Sequence, residues 1–169
     1  GTAVFNNSMR RTDNNDTFRN SMDADRIWLK VSEATYEMGN TTLVGFSEVT
    51  SEEEDAGYDT RRLATVVSLF SHLQDGTKEF GIQALGAFET SAKIPMGFST
   101  LIDAELEYTI SMENVEGANL DLATVYLMDN QLGILTDLTA EDYLFRSGKG
   151  TYPGRFTLLF KQSPLGVTE

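Results

Sequence analysis

The stretch Glu105-Leu-Glu-Tyr-Thr-Ile-Ser-Met-Glu113 decides the fold class of this chain. Apolar and polar residues alternate through all nine positions. Successive side chains of a β-strand point to opposite faces, so the run predicts a strand with one buried face and one solvated face. The residues expected on the buried face are Leu106, Tyr108, Ile110 and Met112.

Runs with the same character recur along the chain and are separated by turn residues such as Asp75-Gly76 and Asp129-Asn-Gln131. Many short strands at this spacing are typical of a sandwich or a barrel. Of the two, we expect an all-β, antiparallel β-sandwich of jelly-roll type. Its ten predicted strands lie near residues 26–31, 41–49, 63–70, 78–85, 93–102, 105–114, 123–129, 132–138, 142–147 and 154–161.

The length of 169 residues fits one domain with a short extra arm. Residues 1–25 are polar and rich in Asn, Asp and Arg, and we expect an arm or a long loop there. The predicted sandwich occupies residues 26–161. Residues 162–169 read as a linker toward a C-terminal domain that is absent from this chain.

The charge of the chain limits its partners. It carries 26 acidic and 13 basic residues, a formal net charge of −13. Such a field repels phosphate backbones and anionic membrane surfaces, so we expect no nucleic-acid partner. There is no apolar run of the length that spans a membrane, and we expect no direct membrane insertion. The chain has no cysteine, which excludes thiol catalysis, disulfides and cysteine-based zinc sites.

An acidic loop runs from Glu48 to Asp59 and places six carboxylates within twelve residues. A hard cation such as calcium, which takes several oxygen ligands, would relieve their mutual repulsion. The best ligands would be Asp55 and Asp59, beside Gly57, because glycine permits a tight turn. The spacing does not match the EF-hand loop, and a solvated charged loop is the commoner outcome for such a run.

His72 is the only histidine and lies in Ser71-His-Leu-Gln-Asp75. Serine, histidine and aspartate are the members of a hydrolase triad, but triads are defined by spatial geometry, and no nucleophile elbow of the Gly-x-Ser-x-Gly type is present. We therefore expect His72 to be a surface turn residue. We expect Glu105 and Glu107 to be ordinary solvated residues, and we predict that the protein is not an enzyme.

Three aromatic residues are candidates for contact with a sugar ring: Trp28, Tyr36 and Tyr58. Trp28 points away from the apolar face of its predicted strand, between Arg26 and Lys30. The alternative for each ring is ordinary packing against a neighbouring strand.

Ten segments form an ordered pattern along the chain: Arg26–Leu29, Gly57–Asp59, Arg62–Leu63, Phe80–Gln83, Ile94–Phe98, Glu107–Val115, Val125–Asn130, Leu135–Leu138, Tyr143–Phe145 and Gly150–Phe160. Taken in this order, they resemble a β-sandwich domain of large secreted and surface proteins from Bacteroidetes-type bacteria. The resemblance covers about residues 26–161 and includes no catalytic signature. In the usual family pattern, the loop before Gly57-Tyr-Asp59 is less acidic, so a metal role there cannot be carried over.

In those proteins the domain lies just before the C-terminal sorting domain of the type IX secretion system. The resemblance implies a non-catalytic structural or adhesive module at the cell surface or outside the cell, for example in a gliding-motility adhesin. Its partners would be neighbouring domains of the same polypeptide and, through the absent C-terminal domain, the secretion or attachment machinery. The alternative is a carbohydrate-binding module of a secreted enzyme, with glycans as ligands and with or without calcium.

Overall fold

A computed structural model describes residues 24–162. The predicted arm at 1–25 and the predicted linker at 162–169 lie outside this range except for Ala24, Asp25 and Gln162. No helix in the described part is long and apolar enough to cross a membrane. Its elements are β1 (Asp25–Glu33), β2 (Met38–Phe46), β3 (Thr60–Arg61), β4 (Val67–His72), β5 (Glu79–Leu85), β6 (Lys93–Thr100), β7 (Leu106–Glu116), a 3₁₀ helix (Leu120–Leu122), β8 (Ala123–Asp129), β9 (Ile134–Asp137), β10 (Tyr143–Ser147) and β11 (Gly150–Gln162).

The strands form one continuous sheet in the order β10-β7-β1-β2-β5-β4-β6-β11-β8-β9, with β3 paired to β5 off this path. The prediction of an all-β fold is confirmed. The jelly-roll sandwich is not confirmed, because the sheet curls into a nearly closed, barrel-like shape instead of two stacked sheets. The sheet is also mixed and not purely antiparallel, since β2 and β5 run parallel. Alternation along a strand is the same in sandwiches and barrels, so the sequence pattern could not separate them.

The alternation that opened the sequence analysis is present in β7, where Tyr108 and Ile110 are fully buried. β7 pairs with β1, whose Ile27, Leu29 and Val31 are also fully buried. Leu106 and Met112 are only half-buried and pack against the edge of this core. The predicted inward faces of both strands are therefore confirmed, and together they form one wall of the barrel core.

Two groups of aromatic rings fill the interior. Phe145 lies at the centre of the first, with its ring centre 5.0 Å from that of Phe98 and 5.2 Å from that of Phe156, in edge-to-face geometry. The second is the Phe46–Phe88–Phe160 trio, whose centres are 5.1 to 5.7 Å apart. Edge-to-face contacts place the positive ring edge against the negative ring face and add to the free energy of apolar burial.

Strand β4 is buried on both faces, unlike most strands of the barrel. Val67 and Leu69 belong to the barrel core. On the outer side, the Arg62 guanidinium lies 4.1 Å from the centre of the Phe70 ring. A Cβ added to Gly97 of β6 would lie 2.4 Å from that ring, so only glycine fits beneath Phe70. Arg62, directly after β3, thus covers the outer face of β4 at Phe70. The sequence does not indicate this contact.

Side-chain hydrogen bonds connect β10, at one end of the strand order, with β8 and β11 near the other end. Asp129, at the end of β8, accepts a 2.8 Å hydrogen bond from the Tyr143 hydroxyl of β10. The same oxygen, Oδ2, accepts from Nε and Nη2 of Arg155 in β11, each at 3.3 Å. The Arg155 guanidinium also lies 4.4 Å from the centre of the Phe145 ring. Burial and the bond to Asp129 raise the pKa of Tyr143 well above its usual range, so its hydroxyl stays a donor.

We expect Arg155→Met to lower the free energy of unfolding by about 3–5 kcal/mol, because it leaves the Asp129 carboxylate buried without its cation. The matched control is Lys149→Met, which breaks the Lys149–Asp103 ion pair (2.9 Å), whose side chains are 54% and 87% exposed. That change should cost less than about 1 kcal/mol. Urea unfolding measures both, and equal losses would contradict the role given to Arg155.

Candidate functional site

The three aromatic candidates lie on different segments of the chain. Trp28 is half-buried on the outer face of β1, aligned with Leu43 of β2. Tyr36 is 55% exposed in the β1–β2 turn, and Tyr58 is 53% exposed in the loop before β3. Within residues 24–162, none of the three rings packs against another aromatic ring. Leu43, which is aligned with Trp28, lies five residue-to-residue steps from Met38 at the Tyr36 turn, a distance of about 17 Å along β2. One sugar ring would therefore not contact both Trp28 and Tyr36.

The carboxylates of Asp55 and Asp59 close the acidic loop through amide donors. Asp59 accepts from the Asp55 amide at 2.8 Å and, through its other oxygen, from the Ala84 amide of β5 at 2.7 Å. Asp55 accepts from the amide and the hydroxyl of Ser51, at 2.6 and 2.9 Å. Gly57 has a φ of +94°, which confirms the predicted tight turn. The two residues that the sequence analysis singled out therefore shape the loop and fasten it to β5.

No three histidine or acidic side chains in the described part of the chain are grouped so that they could hold a metal ion. Calcium at Asp55 and Asp59 stays a prediction. If calcium binds the folded loop, millimolar calcium should raise the melting temperature relative to excess chelator. At a calcium concentration a hundredfold above the dissociation constant, the gain in the free energy of unfolding is about 2.7 kcal/mol. Asp55→Asn should remove that difference. Identical melting curves of the unaltered protein in calcium and in chelator would contradict the site.

Glu54 connects the acidic loop to two other segments. Its carboxylate binds Arg61 of β3 through two hydrogen bonds, at 2.6 and 3.0 Å, and Lys78 of the β4–β5 hairpin at 2.8 Å. The hydrogen bonds from Arg61 and then Lys78 lower the pKa of Glu54 from 4.5 to about 2. The loop is thus held in place by charge as well as by amide donors.

This ion-pair group predicts a defined acid sensitivity. The folded-state pKa of Glu54 is depressed, so its stabilising contribution is complete above pH 4.5 and is lost as the pH falls toward about 2. Glu54→Gln should be less stable than the unaltered protein at pH 6, and the two should converge near pH 2. The control is Glu53→Gln, in the same loop. Urea unfolding at several pH values measures the difference, and a gap that does not change with pH would contradict this assignment.

The expectation that His72 is a surface turn residue is wrong. His72 ends β4 and is only 7% exposed. Its Nδ1 lies 2.8 Å from the Leu73 carbonyl oxygen. The Asp75 carboxylate accepts from the amide and hydroxyl of Thr77, and Ser71 Oγ has no hydrogen-bond partner in the described part of the chain. Ser71, His72 and Asp75 therefore do not assemble into a triad.

His72 instead lines a narrow recess of about 10 Å³ between β4, β5 and the start of β6. A larger cleft of about 550 Å³ shares part of its wall, where the two share Glu52, Gln74, Leu85, Lys93 and Ile94. Gln83 of β5 also lines the recess and is 2% exposed. We call the two cavities together the His72 cleft. It is bordered by the acidic loop, through Glu52, and by the start of β6, through Lys93.

Two of the residues that line the recess each have a buried polar atom without a hydrogen-bond partner within residues 24–162: His72 Nε2 and Gln83 Oε1. Buried polar groups of folded proteins nearly always have a partner, so this pair indicates a position for a bound molecule. The sequence does not indicate this position, because simple alternation from Phe80 predicts that Ile82 is buried and Gln83 is exposed. The structure does the reverse: Ile82 is exposed and Gln83 is buried. Near Gly81, β5 leaves its pairing with β4 and begins to pair with β2.

A protein family described as a domain of unknown function, DUF8693, matches residues 1–160. The chain belongs to this family. No curated protein and no solved structure matches it. The DUF8693 match includes the acidic loop, the His72 cleft and the Asp129–Arg155 pair, so all three belong to one family unit.

Proposed function

We propose that this DUF8693 domain is a non-catalytic structural and adhesive module of an exported cell-surface protein. The observation that supports this is where the chain enters and leaves the barrel. Asp25, the first residue of β1, is paired with Phe46, and the Phe46 ring centre lies 5.7 Å from that of Phe160 near the end of β11. Entry and exit at one end suit a module that projects from its parent polypeptide.

The opposite ends of β6 and β11 lie beside exposed apolar residues in the described part of the chain. The two strands pair from Leu159↔Lys93 to Gly150↔Thr100, a distance of about 23 Å. The loops there are tied together by the Lys149–Asp103 ion pair. Leu101 and Val66, joined by a backbone hydrogen bond, are 62% and 38% exposed at this end. We propose that this surface meets neighbouring domains of the same polypeptide or an external partner.

Export is proposed from the resemblance described in the sequence analysis. It implies that a type IX sorting domain follows in the parent protein, for example a gliding-motility adhesin. The net charge of −13 suits a protein that must remain soluble in an extracellular medium. The domain would act through its surface, with the closed barrel serving as a rigid support for its loops.

Protease treatment of intact cells tests export. In the bacterium that carries the gene, an antibody to this domain should detect a protein that external protease removes without lysis. A cytoplasmic protein serves as the lysis control. Detection only inside protected cells would overturn the proposed location. Deletion of the domain from the parent gene should leave the rest of the protein exported while reducing attachment to surfaces, and unchanged attachment would count against the adhesive role.

The second candidate function is carbohydrate binding, and the His72 cleft is the observation that favours it. A concave site with a few convergent polar groups above a partly apolar wall is the usual form of a small-ligand site. The cleft has these properties, whereas Trp28, Tyr36 and Tyr58 make no ring contact with one another in the described part of the chain. We therefore propose the glycan contact at the cleft.

A further inference from the structure

We infer that the His72 cleft binds a neutral sugar through two adjacent hydroxyl groups, one of them seated between His72 and Gln83. The inference rests on the second candidate function and gives it a location and a ligand chemistry. Its starting point is the pair of unpartnered atoms, His72 Nε2 and Gln83 Oε1, in side chains that are 93% and 98% buried.

The hydrogen-bonding state of His72 follows from its one contact. Its Nδ1 faces the Leu73 carbonyl oxygen at 2.8 Å, and a carbonyl oxygen only accepts hydrogen bonds. Nδ1 therefore carries a proton, and in the neutral ring Nε2 is an acceptor. Gln83 Oε1 is also an acceptor. The recess thus offers two acceptors that require hydrogen-bond donors from a bound group.

The remaining side chains of the recess select among possible ligands. Glu52 adds an anionic acceptor and Lys93 adds a cationic donor. An ammonium ion offers only donors and would be repelled by Lys93. A phosphate or carboxylate offers only acceptors. Lys93 would donate to it, but His72 Nε2, Gln83 Oε1 and the Glu52 carboxylate would each face it as acceptor against acceptor. A hydroxyl group both donates and accepts, so adjacent hydroxyls match the mixed set.

The dimensions agree with this chemistry. A recess of about 10 Å³ holds about one water-sized group, which is the size of a single hydroxyl. The cleft of about 550 Å³ that shares five lining residues with the recess lies within the size range of small-ligand sites. Phe46, Leu85 and Ile94 give it an apolar side against which the C–H face of a sugar ring can pack.

The test is an NMR titration of the amide signals with glucose, galactose, mannose and N-acetylglucosamine at millimolar concentrations. We expect at least one sugar to shift the amides of Gly86, Ser91 and Lys93, which line the cleft. Butylamine and inorganic phosphate serve as the ammonium and anion probes and should not shift them. Shifts from either probe without shifts from any sugar would overturn the hydroxyl assignment.

The decisive variant is Gln83→Met, which keeps the length of the side chain and removes its acceptor. Because it replaces an unpartnered buried polar group, it should leave stability to urea unchanged or higher. It should weaken binding of the responding sugar about tenfold, the effect of losing one hydrogen bond. Trp28→Ala is the matched control outside the cleft and should leave the affinity unchanged. Unchanged affinity in Gln83→Met would overturn the inference.

The titration distinguishes failure of the proposed site from failure of carbohydrate binding itself. Sugar-induced shifts around Trp28, with the cleft amides unmoved, would retain carbohydrate binding and overturn the site. No shift with any of the four sugars would overturn the inference and remove the support for carbohydrate binding. The surface-module proposal has its own test in the protease experiment. A water between His72 and Gln83 that no sugar displaces would define the recess as a hydration site and overturn the inference.

Discussion

No backbone ladder joins the two ends of the strand order in the described residues, and the Asp129 carboxylate connects the barrel across that gap. In the strand order of the described residues, β9 and β10 stand at opposite ends, and each pairs with one neighbour. Asp129 reaches across from β8 to the Tyr143 hydroxyl of β10 and the Arg155 guanidinium of β11. Its other oxygen accepts from the amides of Gln131 and Leu132, which shapes the turn after β8. A buried charge has a large desolvation cost, and these donors offset it.

The rest of the core depends on that closure. Arg155 lies among the rings of the first aromatic group, 4.4 Å from the centre of Phe145 and 5.3 Å from that of Phe156. A cation over ring faces is attracted by their negative charge and also fixes the orientation of the rings. Phe145 in turn contacts Phe98 and Tyr108, so packing continues from the closure to β6 and β7. One buried ion pair therefore connects the sheet ends to the centre of the apolar core.

The junction of β4, β5 and the start of β6 forms the cleft that we assign to a sugar. It buries His72 and Gln83, two side chains that commonly lie on protein surfaces. The neighbouring acidic loop is fastened at three carboxylates, Glu54, Asp55 and Asp59, to amide groups or to basic side chains. This fastening holds Glu52 beside the recess. The polar side chains of this region thus have two roles. Glu54, Asp55 and Asp59 hold the acidic loop in place, whereas Glu52, His72 and Gln83 line the recess.

The sequence alone determined the local structure: alternation in 26–31 and 105–113 specifies strands and their buried faces, because the side-chain period of a strand is two residues. It also predicted the tight turn at Gly57. Tertiary structure decided closure into a barrel, the burial of His72 and Asp129 and the placement of Gln83. These depend on pairs far apart in the chain, such as Asp129 with Arg155. The bend near Gly81 reverses the local alternation only because β5 changes partner there, and no pattern within β5 reports that change.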